Sequence, residues 1–166
     1  MKEISWAACL RLGVTAENIQ KGLAAFQTME GRQEIFTHKD MTIIKDCYNA
    51  GPESMAAALN VLGNRPGRKI AVLGDMLELG SHSAAAHEKV GCIAAQKADI
   101  LLCYGKESAA MYKGAADAGM EAAHYTDQKE MATRLAALAK PGDVLLFKGS
   151  RGMKMENVLT QFLEEK

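Results

Sequence analysis

The sequence lacks the short motifs by which several common classes of protein bind phosphates, dinucleotides or zinc. No G-x-x-x-x-G-K-[ST] loop occurs in its 166 residues, and no G-x-G-x-x-G follows a strand-like run. The four cysteines form no C-x-x-C pair, so neither zinc spacing nor a disulfide framework is indicated. The segment HEKVG, residues 87–91, has a glycine where a zinc-protease helix needs its second histidine. These absences exclude a P-loop in this sequence and weaken the case for dinucleotide binding.

An excess of charge of one sign and long apolar runs are missing as well. The 20 Lys and Arg residues balance 20 Asp and Glu residues, so the electrostatic signature of a nucleic-acid-binding protein is absent. No apolar run reaches membrane-spanning length, and no signal peptide is recognisable. Free cysteines in apolar runs are typical of a reducing compartment. The composition predicts a cytoplasmic protein with no nucleic-acid partner and no membrane partner.

What the sequence does contain, from residue 52 onward, is a regular alternation of helices and strands. The predicted helices cover residues 52–62, 84–97, 107–118, 127–139 and 153–164, and the predicted strands cover residues 69–74, 99–104, 121–125 and 144–148. Such alternation indicates right-handed crossovers and a parallel sheet. Near-continuous apolar strands are typical of a sheet covered on both faces. We therefore predict a Rossmann-like, three-layer α/β domain with a mainly parallel sheet.

The first third of the chain follows a different pattern. Residues 33–37 and 41–46 predict an N-terminal β-hairpin, and residues 4–12 and 16–26 predict a short helical lead-in. Because the two helices do not belong to the alternating pattern, they resemble the remnant of a preceding domain. We divide the chain into residues 1–28, the remnant, and residues 29–166, the α/β domain.

Polar residues follow the predicted strands at the ends where open α/β sheets bind ligands. Asp46 and Asn49 could bind ribose hydroxyls or an adenine edge, but the same residues are common in turns that bind nothing. Asp75 and Glu78 could orient an ammonium group or help to hold a cation; alternatively, Asp75 caps a helix and Glu78 is solvated. For both pairs, ligand binding and a purely structural role stay open.

The segment KGSRG, residues 148–152, is the clearest candidate for a binding site. Lys148 ends an apolar strand, and Ser150 and Arg151 precede a helix. Backbone N–H groups at a helix start, beside Arg and Lys, suit a carboxylate or phosphate, so we favour an anion site over a basic surface loop. We assign no role to His82, His87 and His124.

Two other classes of protein have features in common with this sequence. A stand-alone nucleotide-binding or sensor module would have this fold, although the glycine fingerprint of dinucleotide binding is missing. A phospho-acceptor receiver would use Asp46 and Lys148, but its third parallel strand should end in the phosphorylated aspartate. Here that strand ends in Tyr104 and Gly105, which excludes a receiver.

Five segments resemble, in this order, the C-terminal domain of the Mur ligases: GRQEIF, IIKDCYNAGPESMAAAL, KIAVLGDMLELG, HEKVG and LLFKGSRGMKME. The resemblance covers essentially the whole chain. The sequence departs from the family pattern at the first junction, where Lys45, Cys47 and Gly51 replace an acid, a serine and an asparagine. The family residues retained there are Asp46, Tyr48, Asn49, Ala50 and Pro52.

The resemblance implies ATP-dependent amide formation in peptidoglycan synthesis. It implies that ATP activates UDP-N-acetylmuramoyl-tripeptide as an acyl phosphate and that the amine of D-Ala-D-Ala then attacks. The residues implied on the nucleotide side are Arg32, Asp46, Tyr48 and Asn49. Those implied on the side of the incoming substrate are Lys148, Ser150 and Arg151, with Asp75 and Glu78 facing the same cleft.

The resemblance also implies that much of the machinery lies elsewhere in the polypeptide. The phosphate loop, the magnesium ligands and the UDP-binding domain belong to central and N-terminal domains, and residues 1–28 resemble the end of the central ATPase domain. We expect that Met1 is not a natural start and that the chain alone has no ligase activity and binds ATP weakly at best. We also expect Asp46→Ala to impair ATP use in the full-length ligase without disturbing this domain's fold.

Overall fold

The structure, a computed structural model, describes residues 8–25 and 33–165 and contains one six-stranded sheet. The strands are β1 (Glu34–His38), β2 (Met41–Asp46), β3 (Lys69–Gly74), β4 (Ile100–Tyr104), β5 (Glu121–Tyr125) and β6 (Val144–Lys148). Their order is β1-β2-β6-β3-β4-β5; β1 is antiparallel to β2, and every other pair is parallel. The predicted mainly parallel sheet with an N-terminal hairpin is confirmed.

Helices cover both faces of this sheet. In chain order the helices are α1 (Ala16–Ala25), in the lead-in that precedes the sheet, and then α2 (Pro52–Gly63), α3 (Ser83–Lys97), α4 (Ser108–Asp117), α5 (Gln128–Leu138) and α6 (Met155–Glu165), which pack on it. Residues 8–11 are also helical, whereas the rest of the predicted first helix before them and the predicted boundary at residue 28 lie outside the described residues. Among the described residues, none of the helices combines the length and the apolar character that a membrane span requires.

The core consists of two layers, one on each side of the sheet. Alternate strand residues point to opposite faces, so Ile70 and Val72 pack with α5 and α6, while Ala71 and Leu73 pack with α2, α3 and α4. All of β6 is buried, as expected for a central strand covered on both sides. The three-layer prediction is therefore confirmed.

The hairpin between β1 and β2 is closed by a two-residue turn. Lys39 and Asp40 both have positive φ angles, 45° and 61°, as a type I′ turn requires. This turn sets the register in which Ile43 lies opposite Phe36. On its other side β2 pairs with β6, so the polar carboxyl end of β2 lies directly beside that of β6.

The position of β6 creates the crevice of this fold. The helices that follow β2, β3 and β4 lie on one face of the sheet, and those that follow β5 and β6 lie on the other. Since β6 lies between β2 and β3, the chain leaving β6 diverges from the chain leaving either neighbour. Ligands of open α/β sheets bind at such points.

Candidate functional site

Three loops meet at the carboxyl ends of the strands around β6, and Ser150 joins them. The Ser150 amide donates to the Asp75 carbonyl oxygen at 3.0 Å. Its hydroxyl accepts from the Leu77 amide at 2.9 Å and donates to the Ala50 carbonyl oxygen at 3.3 Å. Ser150 is buried, so these bonds are shielded from water. It holds the loops after β2, β3 and β6 in fixed relative positions.

A buried ion pair joins the ends of β2 and β6. The parallel register places Asp46 opposite Lys148, whose Nζ lies 2.7 Å from Asp46 Oδ2 and 2.9 Å from the Asn49 carbonyl oxygen. The side chains are 2% exposed for Lys148 and 11% for Asp46. The Lys148 ammonium thus has two internal acceptors. Among the described residues, Asp46 Oδ1 has no hydrogen-bond partner.

Asp75 caps a helix, but not one that follows it directly in the chain. Its carboxylate accepts from the amides of Glu107, at 3.1 Å, and Ser108, at 2.7 Å, at the start of α4. Gly105 allows this approach, since a Cβ there would overlap the Asp75 carboxylate. Asp75 therefore connects the loop after β3 to the helix after β4, and of the two interpretations of Asp75 the capping one matches this geometry.

Glu78 and Asn49 occupy more exposed positions. Glu78 has a φ of 66° and an exposed side chain at the tip of the loop after β3. The Asn49 side-chain oxygen accepts from the Ala50 amide at 2.9 Å, a contact typical of turns. Neither side chain is hydrogen-bonded to Asp46 or Lys148 within the described residues. Ligand contacts of both residues stay predictions.

Tyr48 and Arg151 come together above β6 from the two loops that flank it. The Arg151 guanidinium carbon, Cζ, lies 5.6 Å from the centre of the Tyr48 ring, within the range of a cation–π interaction. Both residues are exposed. A residue predicted on the nucleotide side and one predicted on the substrate side are therefore in contact. Arg32 lies outside the described residues.

His87, to which we assigned no role above, fixes the loop after β3 onto α3. Its Nε2 accepts from the Met76 amide at 2.9 Å, and its Nδ1 therefore donates to the Ser83 carbonyl oxygen at 2.8 Å. The ring is fully buried. His87 is three, four and seven positions before Val90, Gly91 and Ala94, which are buried on the same face of α3. This helical spacing is the signal in the sequence that predicts burial of His87.

Cys47 stands where the family pattern has a serine, and it packs into the core. Burial raises the pKa of the Cys47 thiol to about 12, and its Sγ donates to the Phe147 carbonyl oxygen at 3.5 Å. A thiol protonated at neutral pH is neither a good nucleophile nor a metal ligand. In the described part of the chain no group of three His, Cys, Asp or Glu side chains could hold a metal ion.

Comparison with known proteins relates these residues to one family. Residues 31–151 match the family described as Mur ligase, glutamate ligase domain. The UDP-N-acetylmuramoyl-tripeptide–D-alanyl-D-alanine ligase of Bacillus subtilis is 37% identical over 95% of this chain and 36% of its own length. The ligase of the same name from Escherichia coli is 36% identical over 95% of this chain and 35% of its own length. The chain thus spans about a third of the curated relatives it matches.

Solved structures give the same relationship. MurF from Acinetobacter baumannii has a TM-score of 0.87 and 34% identity, covering 95% of this chain and 35% of its own. The MurF ligase of Thermotoga maritima, solved in complex with ADP, has a TM-score of 0.82 and 32% identity. That comparison covers 97% of this chain and 36% of the Thermotoga chain.

Proposed function

Because the chain belongs to the Mur ligase family through its glutamate ligase domain, we propose that it is the C-terminal domain of an ATP-dependent amide ligase. The proposed reaction joins D-Ala-D-Ala to UDP-N-acetylmuramoyl-tripeptide in peptidoglycan synthesis, in the cytoplasm. The observation that carries this proposal is the 37% identity, over 95% of the chain, to a ligase whose name states both substrates. The crevice beside β6 supports the proposal, because open α/β sheets bind ligands at such points.

The loop after β2 has groups that suit the nucleoside side of ATP. Asp46 keeps Oδ1 for a ribose hydroxyl while Lys148 neutralises the carboxylate through Oδ2. The exposed Asn49 lies three positions further on. When bound, ATP supplies the phosphoryl group that activates the tripeptide's terminal carboxylate. We assign the phosphate loop and the magnesium ligands to the central domain, and the predicted phosphate contact to Arg32.

The loops after β3 and β6 form the side that we assign to the incoming dipeptide. Arg151 presents an exposed guanidinium there, which suits the free carboxylate of D-Ala-D-Ala. The internal contacts of Lys148, Ser150 and Asp75 support an indirect role for these three residues, in which they fix the loops. Glu78, exposed at the loop tip, remains our candidate for a contact with the dipeptide's ammonium group.

We assign residues 1–28 to the end of the central ATPase domain and residues 29–166 to the C-terminal domain. Leu10, Leu12 and Val14 are exposed in the lead-in, Leu12 by 82%. Neighbouring exposed apolar residues mark surfaces that pack against another body. This supports a lead-in that continues a preceding domain of the same polypeptide.

Calorimetry on the isolated chain separates this proposal from a stand-alone sensor. Titration with ATP or NAD is expected to show no saturation below about 1 mM ligand. This corresponds to a binding free energy weaker than about −4 kcal/mol. The reason is that a domain supplying one edge of a nucleotide site lacks the phosphate contacts. Saturable binding of either nucleotide in the micromolar range would contradict the proposal and favour the sensor.

A further inference from the structure

Within the described part of the chain, only one of the three polar residues of KGSRG presents side-chain donors at the surface without a hydrogen-bond partner. The Lys148 ammonium is buried against Asp46, and the Ser150 hydroxyl is hydrogen-bonded to two loops. Arg151 is exposed and makes no hydrogen bond or ion pair through its side chain with any described residue. Its planar guanidinium can therefore offer paired N–H groups to a carboxylate.

The backbone of Arg151 is fixed, although its side chain is not. Ser150 anchors the residue before it, and the Met153 amide donates back to the Ser150 carbonyl oxygen at 2.8 Å. Gly152 lies close to Leu77: a Cβ added at Gly152 would be only 2.8 Å from Leu77 Cδ1. A long, exposed side chain on a rigid turn has many rotamers, and binding a ligand through it costs side-chain entropy.

The Tyr48 ring is the contact that restricts this freedom. It lies on the loop after β2, which Ser150 and Lys148 hold against the loop after β6. With Cζ 5.6 Å from the ring centre, the guanidinium lies over the aromatic face, within the range of a cation–π interaction. Stacking on an aromatic ring leaves the in-plane donors of arginine available.

We infer that Tyr48 is a positioning residue for the incoming substrate: it holds Arg151 over its ring so that Arg151 binds the free carboxylate of the dipeptide. This inference rests on the proposed function and deepens it. It differs from the assignment of Tyr48 to the nucleotide side, because it gives Tyr48 an effect on the dipeptide and not on ATP. The acid and the C-terminal amide of D-Ala-D-Ala distinguish the two, since the amide lacks the charge that Arg151 would bind.

The test measures KM of the full-length ligase for D-Ala-D-Ala, for its C-terminal amide and for ATP. Arg151→Ala is expected to raise KM for the acid about 10- to 100-fold, as loss of a charged hydrogen-bonded contact does. Tyr48→Ala is expected to raise it about 3- to 30-fold. In both variants the preference for acid over amide should fall, while KM for ATP stays unchanged.

Four further variants make the result specific. Tyr48→Phe keeps the ring and should keep the preference for the acid, whereas Tyr48→Leu keeps apolar bulk without a ring and should lose it. Tyr112→Ala is the matched control, since Tyr112 on α4 is 38% exposed and Tyr48 is 37% exposed. Tyr112→Ala should leave KM for the dipeptide acid, for its amide and for ATP unchanged. In the Arg151→Ala background, Tyr48→Ala should add no further effect.

The outcomes separate the inference from the function on which it rests. A Tyr48→Ala enzyme with a raised KM for ATP and an unchanged acid-to-amide preference would overturn the inference and leave the function standing. An additive effect of the two alanine variants would also overturn it. A wild-type ligase that turns over neither dipeptide would overturn the proposed function itself.

Discussion

Asp46→Ala is expected to lower the free energy of unfolding of this chain by about 3–5 kcal/mol, the usual cost of removing one partner of a buried ion pair. Lys148 is 2% exposed, and without Asp46 its ammonium would keep, among the described residues, only the Asn49 carbonyl oxygen as an acceptor. The structure thus revises the expectation from sequence that this substitution spares the fold. Urea unfolding followed by circular dichroism measures the effect.

Two controls show whether the buried charge is the cause. Adding Lys148→Met to Asp46→Ala removes the unpaired ammonium, so the double variant should regain most of the lost stability. Lys45→Ala removes the neighbouring pair with Glu34, which is 25–33% exposed, and should cost less than about 1 kcal/mol. If Asp46→Ala costs no more than Lys45→Ala, the buried pair does not stabilise the junction as described.

Gly91→Ala and Gly114→Ala are each expected to destabilise the chain by about 1–3 kcal/mol, despite the better helix propensity of alanine. These glycines form the contact between α3 and α4. A Cβ at Gly91 would overlap the Met111 carbonyl oxygen, and one at Gly114 would overlap the Glu88 carbonyl oxygen. The obstacle is backbone, so no side-chain rotation relieves it and the helices must separate.

Gly22→Ala is the matched control for this prediction. Gly22 is also helical, in α1, but a Cβ there meets no atom within 4 Å. The substitution should be neutral or stabilise by up to about 1 kcal/mol. Thermal unfolding of the three variants gives the comparison. Equal effects at residues 22, 91 and 114 would contradict the close contact of α3 with α4 and, with it, the rigid support of the helix start that Asp75 caps.

The order of elements was predictable because periodicity and apolar runs are local signals. Every predicted strand from residue 33 onward is present, and the helices from residue 52 onward begin and end within about two residues of their predicted bounds. The convergence of the strand ends was predictable too, since parallel strands place their carboxyl ends at one edge. Neither the order of the elements nor the convergence of the strand ends depends on which strands are neighbours in the sheet.

The pairing of side chains inside that edge was not predictable from local pattern. Asp46 and Lys148 are 102 positions apart, and they meet only because β6 inserts between β2 and β3. Strand order depends on the packing of all the helices, so Lys148 was assigned to a substrate while its ammonium lies buried within the domain. The contact between Tyr48 and Arg151 depends on the same insertion.

If this chain supplies the C-terminal domain of a ligase that uses D-Ala-D-Ala, as we propose, it should work in place of the same domain of a relative. The most direct measurement replaces the matching segment of the Bacillus subtilis ligase with this chain and follows ADP release from ATP with UDP-N-acetylmuramoyl-tripeptide. The hybrid should release ADP only when D-Ala-D-Ala is added, and this chain alone should release none. A correctly folded hybrid without dipeptide-dependent ADP release, or turnover by the chain alone, would contradict the account.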